Sequence, residues 1–333
     1  MLKRLITSCV VGATLVTAPV YADITLKGFI PAAPNRPDSK MVADFFQQAE
    51  EQSKDTLMIE AYYPGGLGFP VQDLIRHLER NTVQIAALAT PYYTRELPGL
   101  SIALPDGVIT DTAKYDKYIP RLKEMMETGL SDKFNLHVVG YIQPLFLDHS
   151  FFCSEPVATL AELRLKKVRV WTKHQLLAFQ KLGVAAQIIP KEDLYVALQT
   201  GVIDCALFPA EIASTIGIQE VARHELRMMP WIAAPMPYVV NDPTWRALDD
   251  DQRSALTNAG RDSFQQSLSA AHQVRSAASN SRQERYASGF SDSGELSGTD
   301  LEEIQAALLV AWDEMAKNAG PDAEAVVARM KAD

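Results

Sequence analysis

Lys166-Lys167-Val168-Arg169-Val170-Trp171, followed by Ala197-Leu198-Gln199-Thr200-Gly201-Val202-Ile203-Asp204-Cys205-Ala206-Leu207-Phe208, carries the pattern that decides the fold. The first run reads as a strand over 167–171. A helix over 174–182, a strand over 186–189, a helix over 191–200 and a strand over 205–208 follow. Strand, helix, strand, helix, strand is the alternation of a mostly parallel sheet, so the fold class is α/β. Side chains along a strand alternate faces, so Val168 and Val170 turn one way while Arg169 and Trp171 turn the other. A guanidinium beside an indole suits an anion with an apolar body, because the planar fork matches a carboxylate and the ring excludes water. The same residues also fit an arginine that ends an edge strand and pairs with its own fold.

The N-terminal half has the same rhythm. Ile24-Thr25-Leu26-Lys27-Gly28-Phe29 reads as a strand, and a helix over 39–53 carries Met41, Val42, Phe45 and Phe46 at helical spacing. A strand over 57–62 runs into the Pro64-Gly65-Gly66 turn, and a helix over 71–81 leads to a buried strand over 83–88. Asn135-Leu136-His137-Val138-Val139-Gly140-Tyr141 adds another strand. Open sheets of this kind bind ligands beyond the carboxyl ends of their strands. That points to the loops holding Asn35, Phe69 and Tyr92 as one wall of a site, and to Trp171 and Phe208 as a second. From 243 to 288 there is no internal proline after Pro243, and Trp245, Leu248, Leu256, Phe264, Leu268, Ala271 and Val274 keep helical spacing. One long helix is expected there, bent near Gly260, or else two helices broken at that glycine. A final amphipathic helix is expected over 300–317.

Lys3 and Arg4 precede an apolar run from Leu5 to about Val20, and Val20-Tyr21-Ala22 places small residues before Asp23. This predicts a cleavable secretory leader over 1–22 rather than a membrane anchor, since the run is short and holds Thr, Ser and Gly. Its removal takes the formal net charge from -9 to -11, because it carries Lys3 and Arg4 and no acid. A chain this acidic has no general affinity for nucleic acid or anionic lipid, and no other stretch is apolar enough for membrane insertion. The remaining Cys153 and Cys205 allow one disulfide or two buried thiols; two thiols are the expectation. About 310 residues with 47 % hydrophobic content exceed one comfortable core, so two lobes are expected. No linker-like tract separates them, which implies strands that cross between the lobes.

Three blocks resemble one known family. Thr159-Leu160-Ala161-Glu162-Leu163-Arg164-Leu165-Lys166-Lys167-Val168-Arg169-Val170 is similar to a segment of the solute receptors of tripartite ATP-independent periplasmic (TRAP) transporters, of the C4-dicarboxylate-receptor type. Lys191-Glu192-Asp193-Leu194-Tyr195-Val196-Ala197-Leu198-Gln199-Thr200-Gly201-Val202-Ile203-Asp204 resembles that family's next block, and Leu57-Met58-Ile59-Glu60-Ala61-Tyr62-Tyr63-Pro64-Gly65-Gly66-Leu67-Gly68 an earlier one. The resemblance implies a two-lobed periplasmic-binding-protein-like fold with crossing hinge strands. Lobe I would hold 23–145 and about 234–265, and lobe II 146–233 and about 266–333, with a helix over about 243–288 bridging them.

The resemblance also carries site residues. Arg169 aligns with the arginine that clamps a ligand carboxylate. Phe208 stands where relatives often carry a polar asparagine; with Trp171 and Tyr92 it implies a more apolar or aromatic acid, with core packing as the alternative. Near His149 several relatives carry a second ligand-binding arginine. His149 would replace it as a donor titrating near neutral pH, or is a hinge residue. Lys191 and Asn241 lie near the family's pocket edge and one of its strands, and each also reads as a surface or turn residue. The implied function is a periplasmic receptor for a small organic acid, with the small and large membrane subunits of a TRAP transporter as partners and no cofactor. The alternatives are a receptor feeding a sensor kinase and a secreted hydrolase. Asp148-His149-Ser150 has triad residue types, but neighbours on a strand face opposite ways, and the sequence holds no nucleophile elbow, phosphate loop, complete dinucleotide fingerprint or zinc-type spacing.

Overall fold

In the computed structural model, residues 24–93, 95–105 and 107–332 are described; the expected leader over 1–22 lies outside the described residues. The alternation read from sequence produces β1 (Ile24–Phe29), β2 (Leu57–Tyr62) and β3 (Ile85–Ala87), with β2 and β3 parallel to β1 on either side. Between β1 and β2 the helix Pro37–Gln52 buries Val42, Phe45 and Phe46 against Leu26, Leu57 and Ile59. β4 (Leu136–Ile142) then hands the chain to β5 (Leu147–Cys153), which belongs to a second sheet. That sheet is completed by β6 (Lys167–Val170), β7 (Ala185–Ile188), β8 (Cys205–Pro209), β9 (His224–Trp231) and, late in the chain, β11 (Ser291–Glu295). From β9 the chain crosses back to β10 (Met236–Asn241) in the first sheet.

The strand orders are β2-β1-β3-β10-β4 and β11-β9-β5-β8-β6-β7. Each sheet contains one strand antiparallel to its neighbours: β10 lies between β3 and β4, and β5 between β9 and β8. Both are the strands that the crossings deliver. The two sheets are therefore joined by these two strand-to-strand crossings and, a third time, by the helices that lead from β10 to β11, as the missing linker implied.

The expected helix over 243–288 is three helices: Asp242–Ala247, Asp250–Ser276 and Ala278–Ala287. Its breaks fall beside Leu248 and at Ala277, not at Gly260. Asp249 caps the middle helix through a reciprocal capping box with Gln252, which ends the preceding segment. Gly260 instead serves packing. A Cβ on Gly140 would sit 2.3 Å from the Gly260 Cα, and one on Gly260 would sit 2.2 Å from the Val139 carbonyl oxygen, so helix and β4 meet backbone to backbone.

Leu256 and Ala259 of the middle helix pack on the first sheet, and Ala271 joins that half's other cluster. Tyr286, in the third helix, packs beside the second sheet with Phe152 and Phe290. The last helices are shared rather than lying wholly with the second sheet as the 266–333 assignment expects. In Gly298–Ala319, Ile304, Leu308 and Ala311 meet the second sheet's core, whereas Trp312 and Ala316, together with Val327 and Met330 of Pro321–Lys331, fill the first sheet's core.

Cys153 and Cys205 form a disulfide, contrary to the expectation of two thiols. β5 and β8 are neighbours in register, which places the two cysteines directly opposite with Cα atoms 4.1 Å apart. That juxtaposition depends on a long-range strand pairing, so sequence spacing does not reveal it.

Candidate functional site

Arg169 lies at 2 % exposure in β6, flanked on both sides by strands, opposite Gln187 of β7 and Ala206 of β8. The reading of an arginine on a sheet edge therefore does not hold. Val168 and Val170 enter the core on one face while Arg169 lies on the other, as alternation requires. Its Nε donates to the Ile189 carbonyl at 2.9 Å and its Nη1 to the Leu207 carbonyl at 3.1 Å. No carboxylate lies within ion-pair distance of it among the described residues; Glu192 acts on it only from farther away. Burial lowers its pKa to about 10, with Glu192 opposing, so the group stays charged at neutral pH. A buried cation without an anion is costly, and the two carbonyls fix the fork while leaving its other N–H groups for a ligand.

Aromatic rings frame this guanidinium. The Arg169 Cζ lies 5.3 Å from the Trp171 ring centroid and 5.8 Å from that of Phe208. Trp171 follows the end of β6, where its backbone N–H donates to the Gln175 Oε1 at 3.0 Å; Gln175 is itself fully buried. The His149 ring stacks on Trp231 at 4.3 Å and on Trp171 at 5.3 Å. Burial pushes the His149 pKa down to about 3, against the Leu147 carbonyl that contacts Nδ1 at 3.3 Å. The imidazole is neutral at physiological pH, so the expectation of a donor titrating near neutrality fails: the ring is a wall, not a switch. Phe208 packs into the core, being 4 % exposed within the cluster of Phe152, Ala206 and Ala210, and its ring also lies beside Arg169.

The first sheet's residues are arranged differently. Phe69 stacks between His77, at 3.7 Å, and Phe29, at 5.3 Å. Tyr92 is exposed, as is Asn35 in the turn before the helix Pro37–Gln52. Arg36, which sequence did not single out, pairs with Asp38 at 2.7 Å and lies within electrostatic reach of Tyr92. Among the described residues no hydrogen bond, ion pair or ring contact joins this group to Arg169 and its rings.

Of the remaining sequence candidates, Asn241 is taken up by the fold, and Lys191 adjoins Glu192, the acid that acts on Arg169 from a distance. Asn241 caps the helix Asp242–Ala247 by accepting from the Thr244 N–H at 3.0 Å, and its amide donates to Leu78 O, Asn81 Oδ1 and Val83 O. A side chain so fully engaged is structural. Lys191 is exposed at the start of the short turn Lys191–Asp193. Conversely, Trp231 and Gln175 belong to the site's wall and no reading of the sequence found them. Trp231 is brought there by pairing opposite Leu147, a contact that no local pattern encodes.

Two mixed α/β sheets joined by crossing strands make a two-lobed α/β fold. The family model for bacterial extracellular solute-binding protein, family 7 (DctP), matches residues 30–318. The chain belongs to that family. It is 25 % identical to the C4-dicarboxylate-binding periplasmic protein DctP of Rhodobacter capsulatus, with 98 % of each chain covered. Among solved structures, it resembles a TRAP periplasmic solute binding protein from Rhodobacter sphaeroides in an apo open form, with TM-score 0.76, 19 % identity and coverage of 92 % of this chain and 99 % of that one. A marine metagenome TRAP solute binding protein in complex with co-purified pyroglutamate matches with TM-score 0.74 and 18 % identity over 94 % of this chain and 100 % of that one. No helix of the described residues is long and apolar enough to cross a membrane.

Proposed function

We propose that the protein is a periplasmic receptor that closes its two layers around a small organic acid and delivers it to the small and large membrane subunits of a TRAP transporter. One observation carries the reading: Arg169 is a buried guanidinium held by two backbone carbonyls and by no carboxylate among the described residues. A ligand carboxylate would neutralise it and take its remaining donors in a charge-assisted pair. Trp171, with His149 and Trp231 stacked behind it, then favours an acid with a flat or apolar body over a polyhydroxylated one. Asn35, Phe69 and Tyr92 form the facing wall, met when the layers close. Closure is a population shift: an acid that touches both walls binds the closed form better and biases the equilibrium by that difference alone. The leader over 1–22 would be removed on export.

The test is a thermal-shift and calorimetric screen against aromatic, keto and hydroxy acids, dicarboxylates and uronates, with Arg169→Ala alongside. A ligand at a hundredfold above its Kd stabilises by about 2.7 kcal/mol, which a melting curve resolves easily. Acids that shift the parent protein and not the variant support the proposal. Shifts of equal size in both would remove Arg169 from the site.

A further inference from the structure

β5, β9 and the helix Ala278–Ala287 line a cavity of about 70 Å³ that touches His149 but not Arg169. Its lining includes the guanidinium groups of Arg227, Arg275, Arg282 and Arg285. Three of these have acidic partners. Arg275 pairs with Asp148, Arg227 with Asp292 and, at 3.7 Å, Glu295, and Arg285 with the buried Glu225 at 2.9 Å. Glu225 also accepts from the Ser150 hydroxyl at 2.7 Å. Arg282 has no ion pair or hydrogen bond among the described residues, and its Nε is buried. Arg285 is 4 % exposed, and its Nη1 is likewise buried without a partner.

Asp148, Glu225 and Glu295 line the chamber with the four guanidiniums, and with Asp292, the other partner of Arg227, acids and guanidiniums balance in number. Arg227 takes two of those acids, which leaves Arg282 with none among the described residues, and unpartnered buried N–H donors come from Arg282 and Arg285 of one helix. From this geometry we infer a second ligand site, one for a small monoanion, a halide or a short carboxylate, bound between Arg282 and Arg285. Charge-assisted hydrogen bonds from both side chains would hold the ion, and the cavity has room for it together with water. The bound ion would tie the helix Ala278–Ala287 to β9 through groups that are otherwise mutually repelling. This site is separate from Arg169 and does not depend on the identity of the transported acid.

The experiment is thermal unfolding of the whole chain at constant ionic strength in chloride, bromide, acetate and gluconate, together with anomalous scattering from bromide-soaked crystals. The expected result is a saturable rise in melting temperature of roughly 1–2 °C in chloride or bromide over gluconate, with bromide located in the chamber. A matching rise in acetate would mark short carboxylates as equal occupants, and a flat response to acetate would restrict the site to halide. Arg282→Gln removes the leftover guanidinium without orphaning a carboxylate, and it should weaken the apparent anion affinity at least about tenfold. Arg169→Ala should leave the anion response intact, which separates this site from the organic-acid site. Equal melting temperatures in all four salts, bromide found only elsewhere, or an unchanged response in Arg282→Gln would each overturn the inference.

Discussion

Asn241 in the first sheet and Arg169 in the second are both polar, both strand residues and both 2 % exposed. Asn241 uses both ends of its amide on neighbouring backbone and side-chain groups. Arg169 uses part of its donor set on two carbonyls and has no counterion within ion-pair distance among the described residues. The same degree of burial thus means opposite things: saturation marks a residue that builds the fold, and unspent polarity marks one that awaits a ligand. Among the residues considered, the second sheet holds the unsaturated groups, and the first sheet's candidates are either exposed or already stacked.

The sharpest way to break this comparison is to delete both residues in parallel. Arg169→Ala should weaken acid binding by about 100- to 1000-fold, roughly 3–4 kcal/mol, while leaving stability equal or improved, because an uncompensated buried charge is gone. Asn241→Ala should do the reverse, lowering stability by about 2–3 kcal/mol with little change in affinity for the folded fraction. Calorimetric titration and chemical denaturation of both variants measure this, and a large affinity loss in Asn241→Ala would refute the distinction.

Next in size is the bond that braces the second sheet alone. Replacing Cys153 and Cys205 together by alanine should cost about 2–4 kcal/mol in urea unfolding, given the separation of 52 residues that the bridge closes. Trp171→Ala should weaken binding of a flat acid by about tenfold, and that of an aliphatic acid of equal charge by less. Tyr92→Ala, on the exposed wall, should change affinity by a smaller factor.

Titration should also single out the second sheet. Burial depresses His149 to about 3, so its contribution is complete above the ordinary histidine value near 6.5 and is lost as pH falls towards 3. Glu211 has the opposite sign. Burial raises it to about 7, with Asp148 adding to the effect, so its contribution is complete below about 4.5 and is lost as pH rises through 7. Glu211→Gln should therefore gain stability relative to the parent between pH 5 and 8, on the order of 1 kcal/mol after solvent screening. A pH series of melting curves checks the sign, and a relative loss over that window would contradict it.

Much of this arrangement is legible in sequence where local patterns suffice. β1 to β3 and β6 to β8 are short apolar strands alternating with amphipathic helices, and the Arg169 face follows from alternation. What stayed hidden depends on contacts remote in the chain. β5 carries Asp148 and His149, β9 carries Arg227 and Pro230, and β10 carries Pro237 among their apolar residues, so they do not read as buried strands. The helix Thr112–Phe134 holds Pro120 in its interior, which argues locally against a helix. Gly260 looks like a break because glycine weakens helices, yet its role is to admit Gly140. The neutrality of His149 follows from Trp171 and Trp231, which only the folded sheet assembles around it.

The crossing strands also govern the order in which the chain can acquire structure. β3 and β4 have no common neighbour until β10 inserts between them, and β10 comes after the whole run from β5 to β9. An emerging polypeptide therefore cannot finish its first sheet until Asn241 has been made, and it carries two open sheet edges until then. Long-range pairings of this kind slow folding. A fragment stopping short of Met236 should remain without its central antiparallel strand, prone to aggregation and unable to mature as an independent unit.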